Sequence, residues 1–332
     1  MDRYDDDHSL NVSSPPRVAR MVVERLLGVG GRCAVWSVSR TGPPAQSHVW
    51  ADFKRQPPVR MALKVPLRRP RGAPSQRGLE QEFEAMLPMM HPHLIRPWGI
   101  AQTTAGPGLL LDLYQGGSMA ALMRSAGPLS LGETVTALTP VAEACAHLHQ
   151  LGAAHGDVTA ANILLTPEGL PALADLGDAQ LLGMPVRDAS PAADVAALAA
   201  TAWFCLTGQL PEARQVRLPL GSLRPDLTTP LISLLEESLE PSGGITADEF
   251  ARELYSQAEP EPLNLMRTAD EQVLAELPTV LPEPAAKRPL VGWFRRLWGP
   301  ARKADPHRSR RDQAQSPNWA SKLPSSRRAF RV

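Results

Sequence analysis

Five groups of residues along this 332-residue chain have types and spacing suited to moving a phosphoryl group from ATP. They occur in the order that this chemistry requires. Gly28-Val29-Gly30-Gly31-Arg32-Cys33-Ala34-Val35 is a glycine-rich turn, and with no Cβ in the way its backbone amides can approach phosphates. Alone, such a stretch is as readily a plain turn. Met61-Ala62-Leu63-Lys64 ends an apolar run with a lysine, which is costly to bury without a partner. A carboxylate should therefore meet it. Glu82 is the best placed, Glu80 and Glu84 are the alternatives, and the pair would direct Lys64 at the α and β phosphates. His155-Gly156-Asp157-Val158-Thr159-Ala160-Ala161-Asn162 offers Asp157 to accept a hydroxyl proton or orient a nucleophile. Asn162, five residues on, could hold Mg²⁺ through its amide oxygen. In Ala174-Asp175-Leu176-Gly177, Asp175 closes a short apolar strand and could bridge Mg²⁺ to the β and γ phosphates. Mg²⁺ takes few, well-placed oxygen ligands, and these two with the phosphates meet that demand. Taken singly, Asp157 reads as a turn cap and Asp175 as a loop acid. Their spacing after the lysine and the glutamate carries the chemical reading.

Elements able to position these groups are visible in the hydrophobic pattern. Met21–Leu27 and Ala34–Val38 read as a hairpin around the glycine turn, and Val59–Val65 as a third strand after a Pro-rich loop from Arg40 to Pro58. Leu79, Phe83, Met86, Leu87 and Met90 recur at helical spacing, with Pro88 bending or ending that helix. Leu94–Ile100 and Gly108–Leu113 read as two more strands. After Gly116-Gly117 the pattern turns helical, over Ala120–Ser125, Leu131–Leu151, Ala192–Leu206, Thr229–Leu239 and Thr246–Ser256. The last opens on a capping box, Thr246 with Glu249. Trp203 and Phe204 fall on a helix and read as core. The expected division is a leader over 1–20, a domain over 21–256 with a β-rich small lobe (21–113) and a helical large lobe (114–256), and a Pro-rich then basic tail over 257–332. Leader and tail read as mostly disordered.

Composition excludes several classes. The hydrophobic fraction is 43% and the charged fraction 21%, ordinary for a chain with a real core. Prolines number 34, about twice the usual share, so long connections are expected. Three cysteines without a CxxC or Cys/His pairing argue against a disulfide framework or a zinc site and for a reducing, cytoplasmic setting. The acidic N-terminus is unlike a signal peptide, and no apolar run reaches the ~18 residues of a membrane span. The formal net charge of +1 hides an asymmetry. Residues 287–332 carry thirteen Lys/Arg and two Asp, so an acidic body ends in a basic tail. Within it, Leu290–Trp298 could form a short amphipathic helix facing an acidic membrane surface or a partner. The tail reads as a tether to an anionic partner or a membrane surface. Its charges are not interleaved with a folded surface, so specific nucleic-acid binding is not expected.

The ordered motifs resemble those of the protein-kinase family over residues 21–256, with wording similar to bacterial, especially actinobacterial, Ser/Thr kinase-like proteins. The resemblance implies an α+β bilobal protein-kinase fold, with ATP and Mg²⁺ as cofactors and a protein substrate. It implies that Lys64, Glu82 and Asp157 are catalytic, that Asn162 and Asp175 hold the metal, and that Gly28, Val29, Gly30 and Gly31 cover the phosphates. Leu109–Ser118 resembles the hinge. Leu111 would be the gatekeeper, the Asp112–Tyr114 backbone would meet adenine, and Val35, Ala62 and Leu164 would sandwich its ring. Asp194, in Ser190–Val195, would anchor the catalytic loop, and His155 would be a packing histidine of that loop. His91-Pro92-His93-Leu94-Ile95 also matches family wording.

The departures from the family pattern are as informative. Cys33 stands at the third glycine. Gly156 replaces the arginine that answers a phosphorylated activation loop, so switching by loop phosphorylation is not expected. Thr159 replaces the lysine that neutralises the γ-phosphate, which should slow transfer by ~10²-fold. Asp175 and Asp194 are nineteen positions apart, where family members use about twice that distance, and no APE segment is present. The arginine that pairs with the APE glutamate is also missing, because Glu240–Thr246 contains none. Three readings result: an active Ser/Thr kinase, a pseudokinase that binds nucleotide or scaffolds a partner, and a small-molecule kinase of the aminoglycoside or choline type, suggested by His155-Gly156-Asp157 and Asp175-Leu176-Gly177-Asp178.

Overall fold

Side-chain alternation along two strands builds the roof of the site. In the strand Cys33–Arg40, residues Ala34, Trp36 and Val38 face one apolar cluster, while Cys33 and Val35 pack on another. In Arg60–Pro66, residues Met61, Leu63 and Val65 join the first cluster and Ala62 the second. Successive residues of a strand point to opposite faces, so Lys64 shares the face of Ala62, directly across from Val35. A computed structural model describes residues 14–30, 33–51, 55–67, 78–176, 189–240 and 244–265. The chain divides at Leu281/Pro282 into two units, and the second lies outside the described residues.

The small lobe is one antiparallel six-stranded sheet with the order β1-β2-β4-β6-β5-β3. Its strands are β1 (Met21–Val29), β2 (Cys33–Arg40), β3 (Val49–Trp50), β4 (Arg60–Pro66), β5 (Pro97–Thr103) and β6 (Gly106–Leu111). Helix α1 (Gly78–Met86) packs Leu79, Phe83 and Met86 into the core, and a 3₁₀ turn at Leu87–Met89 follows. β3 falls inside the stretch read as loop. It is a two-residue edge strand paired with β5, too short to show alternation. The strand expected from Leu94 starts at Pro97. Leu94 instead bridges in parallel to Leu173 of the large lobe. The neighbouring backbone bonds run Ile95 N to Leu173 O (3.0 Å) and Leu173 N to His93 O (2.8 Å). His93 Nδ1 is 2.8 Å from the carbonyl of Pro171. The connection after α1 is thereby stapled to the other lobe.

The large lobe comprises α2 (Met119–Ala126), α3 (Leu131–Gln150), the ribbon β7 (Ile163–Leu165) with β8 (Pro171–Leu173), α4 (Pro191–Thr207), α5 (Leu220–Leu223), α6 (Thr229–Ser238) and α7 (Ala247–Tyr255). Thr246 and Glu249 form the expected capping box. α5 carried no sequence signal. It is a single turn between prolines, and its first amide donates to Glu236 at 2.8 Å. Trp203 is buried and Phe204 packs against the same core cluster. No described helix is long and apolar enough to cross a membrane.

Two stretches assigned to free flanks are packed. Val18 is buried and bridges Thr103, with Thr104 N donating to Arg17 O at 3.1 Å. At the other end, Glu261 N donates to Gly132 O at 3.1 Å, Thr136 Oγ1 donates to Glu261 O at 2.6 Å, and Leu263 and Leu265 are buried. Residues 257–265 form a strap across the start of α3. Low local hydrophobicity hid it, since only its two leucines reach the core. The Leu290–Trp298 segment lies outside the described residues.

A Cβ at Gly132 would stand 2.5 Å from Glu261 Cγ and 2.7 Å from Glu259 O. Gly132→Ala should displace the strap, seen as faster proteolysis near residue 260 with the melting temperature lowered by a few degrees. Glu143 on α3 has its carboxyl pushed up to about 7, by burial first and then by Asp248 on α7. The folded protein thus prefers this group protonated, and its penalty grows as pH rises from about 4.5 to about 7. Glu143→Gln should raise the melting temperature at pH 8 and leave it unchanged at pH 4, read by a thermal melt at both values.

Candidate active site

Lys64 is the centre of the site. Its Nζ donates to Glu82 Oε1 at 2.9 Å and to Asp175 Oδ1 at 2.8 Å. Three elements supply these groups: β4 supplies Lys64, α1 supplies Glu82, and the chain after β8 supplies Asp175. Burial alone would lower the lysine's pKa, but the charges of Glu82 and Asp175 outweigh it and hold it raised. The lysine is therefore a permanent cation. Of the three glutamates on α1, Glu82 lies on the buried face with Leu79 and Phe83, so it is the one that meets Lys64. Asp175 has φ +60°, a backbone region that ordinary residues rarely adopt, and its ion pair with Lys64 helps to hold it there. Its side chain is 58% exposed, which leaves its second oxygen turned toward solvent.

The expected catalytic loop, His155–Asn162, is built on one buried carboxylate. Asp194, in the first turn of α4, accepts from His155 N at 2.7 Å and Gly156 N at 2.8 Å. His149 Nε2 lies 2.9 Å from the same side chain. Asp194 is 1% exposed, and a buried carboxylate needs such donors. His155 is fully buried, and burial holds its pKa below the ordinary histidine value. As a neutral ring, its Nε2–H donates to Ala174 O (3.2 Å) and its Nδ1 accepts from Asp157 N (3.2 Å). It thereby ties the catalytic loop to the residue preceding Asp175. Gly156 has φ +80°, so the residue that replaces the family's arginine sits where a side chain is strained.

Asp157 and Asn162 face each other. Asn162 Nδ2 donates to Asp157 O at 2.9 Å and to Asp157 Oδ2 at 2.8 Å. That orientation leaves the amide oxygen of Asn162 for another partner. Among the described residues, no group of three or more His, Cys, Asp or Glu side chains is arranged to hold a metal by itself. An amide oxygen and an exposed carboxylate are hard donors, and with phosphate oxygens they suit Mg²⁺.

The expected adenine contacts lie on the cleft side of the sheet and below it. Val35, Ala62 and Leu111 belong to or pack on the core cluster that spans both lobes, as does Leu164 on β7. Ala62 pairs with Leu111 across the β4–β6 ladder. Asp112 N is committed to Arg96 O at 3.0 Å, so any contact from that residue's backbone must come through its carbonyl. Trp98 was missed by sequence reasoning. Its indole donates to Asp112 Oδ1 at 2.6 Å, and burial still raises that carboxyl's pKa. Tyr114 is packed on the core, with its phenol pushed up by burial and by Asp112. Trp98 and His149 carried no signal, because their partners lie 14 and 45 residues away. Gly28 and Val29 end β1, and Gly30 N donates to Cys33 O at 2.8 Å across the turn. Gly31 lies outside the described residues.

Two departures acquire a structural account. Between Asp175 and Asp194, Ser190 is the single hydroxyl-bearing side chain, and its Oγ accepts from Ala193 N at 3.1 Å as the N-cap of α4. Glu240, in the stretch that carries an arginine in the family, pairs with Arg217 at 3.0 Å and Arg214 at 3.4 Å. The guanidinium of Arg217 also lies 6.0 Å from the ring centroid of Trp203. This ion pair joins that stretch to the loop after α4.

Comparison with known proteins agrees with this geometry. The profile described as "Protein kinase domain" matches residues 42–205, a span that holds Lys64, Glu82, Asp157, Asn162, Asp175 and Asp194 and begins after the glycine turn. The chain is 29% identical over 226 residues to serine/threonine-protein kinase PknI of Mycobacterium tuberculosis, covering 63% of this chain and 36% of that one. It is 30% identical over 139 residues to PknK of the same species, covering 36% and 12%. It is 27% identical over 214 residues to PknL, covering 57% and 54%. The chain thus spans from about an eighth to about half the length of these relatives. With the motif order, the lobes and the Lys64 contacts described above, the chain belongs to the protein kinase superfamily.

Proposed function

We propose that the chain binds ATP between its lobes and transfers the γ-phosphate to a serine or threonine hydroxyl of a protein. The carrying observation is the contact of Lys64 with both Glu82 and Asp175. This contact aligns the cation of the small lobe with the acid at the end of β8. Lys64 would meet the α and β phosphates, with Glu82 keeping it aimed. Gly28 through Gly31 would cover the phosphates with backbone amides. Val35, Ala62, Leu111 and Leu164 would enclose the adenine, and the hinge backbone at Asp112 and Tyr114 would meet its edge.

Asp157 would orient the acceptor hydroxyl and take its proton. Asn162 keeps the Asp157 carboxylate in place through its amide nitrogen. Asn162, through its amide oxygen, and Asp175 are the residues that would hold Mg²⁺, which when bound neutralises charge on the phosphates. Thr159 supplies no cation, so turnover should be slower than in members that carry a lysine there. A pseudokinase is the second reading, favoured by Thr159 and by the short Asp175–Asp194 interval. The protein kinase relatives weigh against a small-molecule substrate.

With γ-labelled ATP, Mg²⁺ and a generic protein substrate, the parent chain should label protein. Asp157→Asn and Asp175→Asn should each reduce labelling by ~10²-fold or more. Lys64→Met should do the same, and it should also lower the melting temperature because it leaves the Glu82 carboxylate buried without its cation. Labelling by the parent that persists in the Asp157 and Asp175 variants would refute these assignments. A parent that never transfers phosphate, yet is stabilised by ATP, would establish the pseudokinase.

A further inference from the structure

The pairing of β5 with β6 is interrupted once, at Trp98. Pro97 lies opposite Leu111 and Gly99 opposite Leu110, so Trp98 is the extra residue of a bulge where the strand pair leads into Asp112. A bulge re-aims the side chain it carries. Here the indole is buried in the cluster of Trp36, Leu63 and Val65, on the sheet face away from Val35 and Ala62. Its Nε1–H reaches past the end of β6 and donates to Asp112 Oδ1 at 2.6 Å. Arg96, two residues earlier, accepts from Asp112 N at 3.0 Å through its carbonyl. The Arg96 guanidinium lies 5.4 Å from the Trp98 ring centroid. Residues 96–98 thus hold Asp112 by both its amide and its carboxylate.

Trp98 is fixed in its turn. Ala51 N donates to Trp98 O at 2.9 Å, and β3 pairs Val49 with Ile100 and Trp50 with Gly99. Gly99 has no room for a Cβ, because the carbonyl of Val49 lies against it. The loop that carries β3 is closed by Arg40, whose guanidinium donates to the carbonyls of Gly42 (3.0 Å), Pro57 (2.7 Å) and Pro58 (3.0 Å). A buried indole N–H needs an acceptor and a carboxylate in an apolar setting needs a donor, so Trp98 and Asp112 hold each other to one place. The phenol of Tyr114 has its pKa pushed up by burial and then by the Asp112 charge, so the same carboxylate is felt at the other expected hinge contact. A hydrogen bond weakens steeply outside a narrow range of distance and angle. A contact from the hinge backbone to a base is therefore only as good as what fixes Asp112.

We propose that Trp98 is a positioning residue for base recognition: through the Asp112 carboxylate it fixes the Asp112 carbonyl against the 6-amino group of adenine, and so sets the preference for a 6-aminopurine nucleotide. The inference rests on the nucleotide site proposed above. With its amide given to Arg96 and its carboxylate to Trp98, Asp112 has its carbonyl to offer the base. Deleting the indole N–H leaves the carboxylate without that donor and frees the hinge backbone to shift. The loss falls on the 6-amino contact. Lys64, Glu82 and Asp175 meet one another elsewhere, through β4, α1 and the chain after β8, and their hold on the phosphates does not pass through Trp98.

The test is calorimetric binding of two nucleotides to the full chain with Mg²⁺: ATP, and purine riboside triphosphate, which lacks the 6-amino group. The parent should prefer ATP by about 10-fold or more, the size of one well-made hydrogen bond. Trp98→Phe keeps a ring and removes the N–H. It should cut the preference to about 3-fold or less by weakening ATP, with the affinity for the analogue within about 2-fold of the parent's. Asp112→Leu, which removes the acceptor, should lose the preference likewise. Asp112→Asn, which keeps an acceptor for the indole, should recover most of it. Should Trp98→Phe fail to fold, the two Asp112 variants decide the question, since both leave the indole in place. Equal weakening of both nucleotides marks a merely structural role and overturns the inference, as does a preference that survives in Trp98→Phe and Asp112→Leu. A parent that binds both nucleotides equally overturns it too, and leaves the nucleotide site standing. A parent that binds neither overturns the nucleotide site and the inference with it.

Discussion

A buried lysine with two carboxylates organises this molecule. Lys64 is 9% exposed, and an ammonium group at that depth is tolerated only with compensating charge. Neither partner is near it in the chain: Glu82 is 18 residues away and Asp175 is 111. Meeting both requires that the sheet present Lys64 inward, that α1 dock with its Glu82 face down, and that the large lobe close beneath. Removing one member of the buried Lys64–Glu82 pair typically costs ~3–5 kcal/mol. A single electrostatic demand therefore couples the positions of both lobes.

Asp194 has the same role in the layer below. A buried carboxylate cannot remain charged without donors, and the backbone of the catalytic loop supplies two of them. The loop conformation, including the left-handed backbone at Gly156, is thus set from α4. His155 then links that loop to Ala174, immediately before Asp175. Asp157 and Asp175 are thus positioned by buried polar contacts to the residues beside them, in addition to the loops' own preferences. The stapled connection after α1 adds backbone pairing between His93–Ile95 and Leu173, which limits independent motion of α1.

The departures from the family's usual pattern are coherent with one another. A cation that answers loop phosphate is of no use where the interval between Asp175 and Asp194 has a single hydroxyl, committed to capping α4. Both partners of the ion pair that would tie a longer segment to the large lobe are absent, and Glu240 pairs with Arg214 and Arg217 of the loop after α4. The chain thus keeps the residues that the proposed function assigns to nucleotide and lacks the arginine with which family members answer a phosphorylated activation segment.

The sequence by itself determined the candidate positions for chemistry and the type of nearly every element. Strand alternation, helical periodicity and the Thr246–Glu249 cap are written in residues within a few positions of one another, and local patterns need no knowledge of the fold. It also named Glu82 as the best-placed partner of Lys64, with Glu80 and Glu84 as alternatives on the same helix. The docking phase of α1 places Glu82 on the buried face, where it meets Lys64. Trp98 on Asp112, His149 on Asp194, the arginines on Glu240 and the strap over α3 were decided by tertiary structure alone. Each joins elements far apart in the chain whose approach depends on how helices, strands and loops pack, and no local pattern encodes that distance. The expected ends of the domain failed for the same reason: Val18, Leu263 and Leu265 are isolated apolar residues in polar stretches, and only the core that receives them shows that they belong to it.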